Sequence, residues 1–102
     1  MVGTMRKAAA KAVKLEDLPN VGKSIAADLR LVGIRRPAEL KRKDPYALYD
    51  RLNRVTGLRH DPCVLDTFIA VVRFVEGGPP QPWWAYTAER KRTLLKRRRR
   101  SS

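Results

Sequence analysis

The chain has 102 residues, 43% of them hydrophobic, a single cysteine and a formal net charge of +13. This length holds one domain at most, and one cysteine makes no intramolecular disulfide, so a reducing compartment, the cytoplasm, is expected. No apolar run approaches the ~20 residues of a membrane span and no secretory signal is visible, which leaves a polyanion as the partner the charge points to.

The charge is unevenly placed. Residues 1–14 hold Arg6, Lys7, Lys11 and Lys14 and no acid; residues 88–102 hold eight basic residues against Glu89; residues 15–87 hold eleven basic against nine acidic. The chain therefore divides into a basic Ala/Lys-rich extension (1–14), a nearly neutral domain (15–87) and a basic C-terminal helix with an arginine tail (88–102). The extension favours helix but has little to bury, so it reads as a frayed helix or as disorder.

Leu15 and Leu18 lie three apart, as on one helical turn, which Pro19 ends. Asn20 is among the few non-glycine residues that accept a positive φ. Gly22 opens a helix to about Val32, with Ile25, Ala26, Leu29 and Val32 at helical spacing. A helix start leaves unpaired N–H groups and a positive dipole end, and here no Cβ blocks an anion's approach. The N–H groups of Gly22, Lys23 and Ser24, with the Lys23 ammonium and the Ser24 hydroxyl, form an expected phosphate seat. A structural turn that needs glycine for its geometry alone is the competing reading.

The stretch L-P-N-V-G-K-S-I-A-A-D-L resembles a helix-hairpin-helix motif, with Val21 between the two glycine positions, Ala26 as the small residue and Asn20 as a departure where the motif prefers Gly. With D-P-Y-A-L-Y, R-H-D-P-C-V-L-D-T-F and P-W-W-A-Y-T-A-E-R-K, the text from Leu15 to Lys91 is similar to the bacterial helix-hairpin-helix family labelled "pathogenicity locus", some of whose relatives carry a mitomycin-resistance label. The resemblance implies an all-α fold and nucleic-acid binding, and no known reaction.

Further along, Gly33 supplies a left-handed helix end on which Ile34 folds back toward Leu29. Pro37 to about Arg42 reads as a short helix. Asp44-Pro45 and Asp61-Pro62 each read as a cap followed by a first-turn proline, opening helices to about Val55 and Glu76. The second is the most apolar in the chain and is the expected central core helix. Residues Leu52 to Arg59 echo Leu15 to Gly22, with Gly57 at the Asn20 position. This reads either as a degenerate tandem pair of hairpins or as an ordinary helix pair joined by a glycine turn. The whole is thus an all-α helix-hairpin-helix domain of about five helices. After the irregular connector 77–82, Thr87 caps a last helix to about Lys96, and Arg97 to Arg100 fray into solvent.

The expected function is sequence-nonspecific binding of nucleic acid, DNA ahead of RNA. It runs through Asn20, Val21, Gly22, Lys23 and Ser24, with Arg35 and Arg36 as further phosphate contacts and Arg97, Arg98, Arg99 and Arg100 as a polyanion tail. The alternative is a protein-interaction module with a purely structural hairpin, using Trp83, Trp84 and Tyr86 as the contact. A weaker third reading makes Cys63, at a helix start beside His60, a thiol of depressed pKa. His60, Asp61, Cys63 and Asp66 cluster within seven positions, but no second His or Cys completes a zinc set, and no oriented acid completes a catalytic triad. Neither metal, cofactor nor enzymatic activity is expected.

Overall fold

The computed structural model describes residues 14–101, with side chains through Arg99. Most of the basic extension, residues 1–13, lies outside the described residues. Among those described the fold is all-α, without a strand: α1 (Lys23–Leu31), α2 (Pro45–Thr56), α3 (Pro62–Val75) and α4 (Thr87–Ser101), with 3-10 turns at Leu15–Asp17, Pro37–Leu40 and Trp83–Tyr86.

The helix boundaries follow local chemistry. The Asp44 carboxylate accepts the Tyr46 N–H at 2.9 Å, and the Asp61 carboxylate accepts that of Cys63 at 2.9 Å, each with proline in the first turn. Such a cap is worth ~1 kcal/mol of helix stability. The end of α1 closes as its sequence directs: Gly33 turns to φ +92°, its N–H reaches the Arg30 carbonyl, and the Ile34 N–H reaches that of Leu29 at 2.9 Å. Ile34 is thereby returned to the core beside Leu29.

The core is organised around α3. Every residue from Leu65 to Val72 is buried, as expected of a helix that is apolar on nearly all sides. Phe68, Val71, Val72 and Phe74 join Leu15, Leu18, Val21, Ala26 and Leu29 in one cluster, which Leu48 and Leu52 complete from α2. The opposite face of α3, Leu65 and Ile69, packs with Tyr46, Tyr49, Tyr86 and Leu94. So α3 is wrapped by α1 and α2 on one side and by the C-terminal helix on the other.

Two elements differ from the sequence reading. The arginine run does not fray at Lys96. The helix continues to Ser101, because residues about fifty positions earlier receive it: the Arg97 guanidinium lies 4.9 Å from the Tyr46 ring centroid and 3.8 and 3.7 Å from carboxylate oxygens of Asp44 and Asp50. Thr87 is not a cap; its hydroxyl donates to Asp66 Oδ2 at 2.7 Å. The internal echo holds only for the backbone. Gly57 and Asn20 share φ +70°, and Leu52 and Leu15 are both buried, but Val55 is 54% and Leu58 66% exposed where Leu18 and Val21 are buried.

Candidate nucleic-acid interface

The loop from Leu18 to Ser24 is built from its anchors outward. Leu15 and Leu18 are buried, and the Val21 N–H closes the turn on the Leu18 carbonyl at 3.2 Å. Val21 therefore serves the core: its side chain is buried and its amide is used, so only the residues after it offer N–H groups to a ligand. Asn20 sits at φ +70°, and its side-chain Nδ2 donates to the Gln81 carbonyl at 2.7 Å. That bond explains asparagine where the resembled motif has glycine. Glycine makes the same turn but cannot tie it to the connector before Trp83.

Gly22 is extended, at φ −97° and ψ −168°, and precedes α1 with no side-chain cap. The helices α2 and α3 each have an aspartate there. No acid lies in the first turn of α1, and Gly22, Lys23 and Ser24 are exposed. The amides at this end are thus left to solvent, at the positive end of the helix dipole. Buried Ala26 keeps the first turn close to the core.

Gly22 itself is not demanded by the fold. Its φ is negative, and a Cβ built on it meets no atom within 4 Å. A Cβ is accommodated there without strain, in contrast to Gly33 and Gly57 with their positive φ. The turn therefore does not need glycine for its own geometry. What glycine adds is open backbone.

The other candidates are distributed unevenly. Arg30 is taken up by Glu16, with two bonds at 3.0 and 3.2 Å, and its guanidinium holds the Glu16 carboxyl below the usual range. Arg35 and Arg36 are exposed, with both backbone amides on Glu39 Oε1 at 2.7 and 3.3 Å. They follow the Gly33 turn at the far end of α1, a nine-residue helix about 14 Å long. Arg97 is committed to Tyr46, Asp44 and Asp50, while Arg98 and Arg99 are exposed. The side chain of Arg100 lies outside the described residues.

The thiol reading is corrected. Burial first, and then the neighbouring Asp61 carboxylate, push the Cys63 thiol up from its ordinary value. His60 is bound elsewhere: its N–H and ring Nδ1 both meet Asn53 Oδ1, at 2.9 and 2.8 Å. Asp66 is fully buried on α3 and receives Arg90 and Thr87. That pair escaped the sequence reading, although a carboxylate inside an apolar stripe is itself a signal that a distant cation must come to it. In the 3-10 turn, Trp83 meets Trp84 edge to face at 5.5 Å between centroids, and only Trp84 stands out, 62% exposed.

Comparison with known proteins gives this fold its relatives. The family model described as "Pathogenicity locus" matches residues 8–92. The chain belongs to this family, Cdd1. It is also 48% identical over 80 residues, 78% of this chain and 76% of the relative, to the mitomycin resistance protein McrB of Streptomyces lavendulae. No solved structure matches the chain. All the elements that build the loop, from Leu15 through α3 and the Trp83–Tyr86 turn, fall inside the Cdd1 match. No helix among the described residues is long and apolar enough to cross a membrane.

Proposed function

We propose that this Cdd1 protein binds DNA without sequence preference, acting as a binding protein and not an enzyme, in the bacterial cytoplasm. A backbone phosphate is held on the N–H groups of Gly22, Lys23 and Ser24, with the Lys23 ammonium and the Ser24 hydroxyl beside it. The observation that carries this reading is the uncapped start of α1 behind a glycine that the turn does not need. Contacts of this kind fix position on a strand and read no bases. Arg35 and Arg36 supply a second contact further along, and the arginines of α4 add long-range attraction. Through DNA binding the chain shares the role printed in its relative's name, resistance to mitomycin.

The test is the salt dependence of duplex affinity for the full chain and for Lys23→Glu. Each phosphate contact contributes a slope of about −0.9, so the variant should bind more weakly and lose roughly one unit of slope. Equal affinity and slope in the two proteins would remove the loop from the interface.

A second reading has one observation behind it. The Asn20–Gln81 bond brings the connector that leads into Trp83 and Trp84 to the loop, and Trp84 is exposed as interface tryptophans are. A protein partner held there would be lost with Trp84→Ala, while duplex binding would persist.

A further inference from the structure

A concave surface of about 580 Å³ lies between α2, α4 and the loop that follows α2. It shares no residue with the Asn20–Ser24 loop. Its deepest residues are apolar or aromatic: buried Tyr46 and Leu65, and half-buried Tyr49 and Leu94. At its mouth stand Arg54 and Arg59, both exposed and neither paired with an acid among the described residues. Leu58 between them is 66% exposed, the most open large apolar side chain described.

The loop that presents these side chains is firmly held. The Gly57 N–H reaches the Asn53 carbonyl at 2.9 Å, the Leu58 N–H the Thr56 hydroxyl at 3.3 Å, and the His60 N–H Asn53 Oδ1 at 2.9 Å. The Tyr49 hydroxyl donates to the His60 carbonyl. These bonds fix the Asn53 amide with its oxygen occupied, so that its Nδ2 is the group left to a ligand. Tyr46 ends in the buried side-chain polar atom that has no partner among the described residues, its hydroxyl. A backbone so constrained, presenting an exposed leucine and arginine next to the exposed Arg54 of α2, is arranged for an occupant.

We propose that this groove binds a single nucleotide unit, its base against the tyrosine-lined floor and Leu58, its phosphate between Arg54 and Arg59. The side chains at the mouth offer donors, the two guanidiniums and the Asn53 amide, and the one carboxylate of the lining, Asp50, is answered by Arg97 at 3.7 Å, so the ligand is rich in acceptors and anionic. The floor is aromatic and aliphatic, so the ligand also carries a flat apolar face. A simple phosphate leaves the floor unused, and a neutral aromatic leaves the arginines unused. The volume lies within the ~300–1,000 Å³ of small-molecule sites. Arg97, stacked on Tyr46, closes the α4 end. The unit is either a free nucleotide or an unpaired nucleotide of a strand, and both carry the same chemistry.

The experiment titrates the full chain with thymidine monophosphate, thymidine, inorganic phosphate and a four-residue oligothymidylate. It follows backbone amide shifts at Asn53, Leu58 and Arg59 and measures affinity by calorimetry. Thymidine monophosphate should shift these amides and bind at least tenfold more tightly than thymidine or phosphate alone. Arg54→Glu with Arg59→Glu should weaken it at least tenfold. If that pair alters the helical circular dichroism, Leu58→Ser, at an exposed position, gives the same direction. An oligonucleotide at least tenfold tighter than the monomer, saturating the same amides, identifies an unpaired strand as the source; equal affinities identify the free nucleotide. Binding no tighter than that of phosphate, shifts confined to other residues, or variants that bind as the parent would each overturn the site. Lys23→Glu should leave this binding unchanged, so the groove and the loop succeed or fail separately.

Discussion

Arg90 grips Asp66 with two of its nitrogens, Nε at 2.8 Å from one carboxylate oxygen and Nη2 at 3.2 Å from the other, and the two side chains are 14% and 0% exposed. The pair joins α4 to the middle of the most buried helix in the molecule. Thr87 completes the carboxylate's bonding at 2.7 Å.

Breaking the pair from one side should be severe. Asp66→Ala leaves the Arg90 guanidinium mostly buried without a counter-charge, at a cost of about 3–5 kcal/mol. A domain this small has little stability to lose, so the urea midpoint should fall steeply and α4 should come away from α3. Asp66→Leu with Arg90→Met should recover most of the loss, as apolar replacements of buried ion pairs do. A midpoint for Asp66→Ala equal to the parent's would show that the pair is not buried in solution.

Gly22→Ala separates the fold from binding. The poor capping preference of alanine and the lower entropy of its unfolded chain offset each other to within about 1 kcal/mol, and a Cβ meets nothing there. Thermal stability should therefore barely change. Duplex affinity should drop about tenfold or more, the worth of one charge-assisted hydrogen bond to phosphate. Unchanged affinity in a filter-binding titration would mean that the amides of this turn do not meet DNA.

Acid should loosen the caps before the core. Backbone N–H groups of Arg35 and Arg36 hold the Glu39 carboxyl below its ordinary 4.5, and that of Cys63 holds Asp61 below 3.8. Groups whose folded values are lowered give their full stability above the ordinary values and lose it as pH falls through the lowered ones. Urea midpoints should thus be flat from neutral pH to about 5 and decline below that. Glu39→Gln with Asp61→Asn should be less stable at neutral pH and show a shallower decline.

Cys63 should alkylate slowly. A thiol raised by burial and by Asp61 holds less thiolate at neutral pH than a free cysteine. Iodoacetamide should react with the folded protein more slowly than with the same chain in urea, and Asp61→Asn should speed the reaction. A folded-state rate above that of the unfolded chain would restore the nucleophile reading.

What could be read in the residues was whatever neighbours decide. Asp44-Pro45, Asp61-Pro62, the Gly33 ending and the positive φ of Asn20 are set within four or five positions, and each lies where its chemistry puts it. The apolar stripe of α3 likewise marks it as central without help from the rest of the chain. What could not be read was decided at a distance. Arg90 and Arg97 look like members of a solvated basic run until Asp66, Asp44, Asp50 and Tyr46 are brought to them. Val55 and Leu58 continue an apolar spacing, and only packing shows that no helix covers them. At the candidate loop, residue types pointed to the free amides. That Gly22 has empty space where a Cβ would sit depends on how neighbouring elements pass it.

The location of Arg90 has a consequence for biosynthesis. Translation delivers α3 with a bare carboxylate in its apolar middle, and nothing emerging before Thr87 and Arg90 answers it. The nascent chain therefore carries an unanswered interior charge until Thr87 and Arg90 have emerged, and a message cut short before Arg90 would leave that carboxylate without its cation.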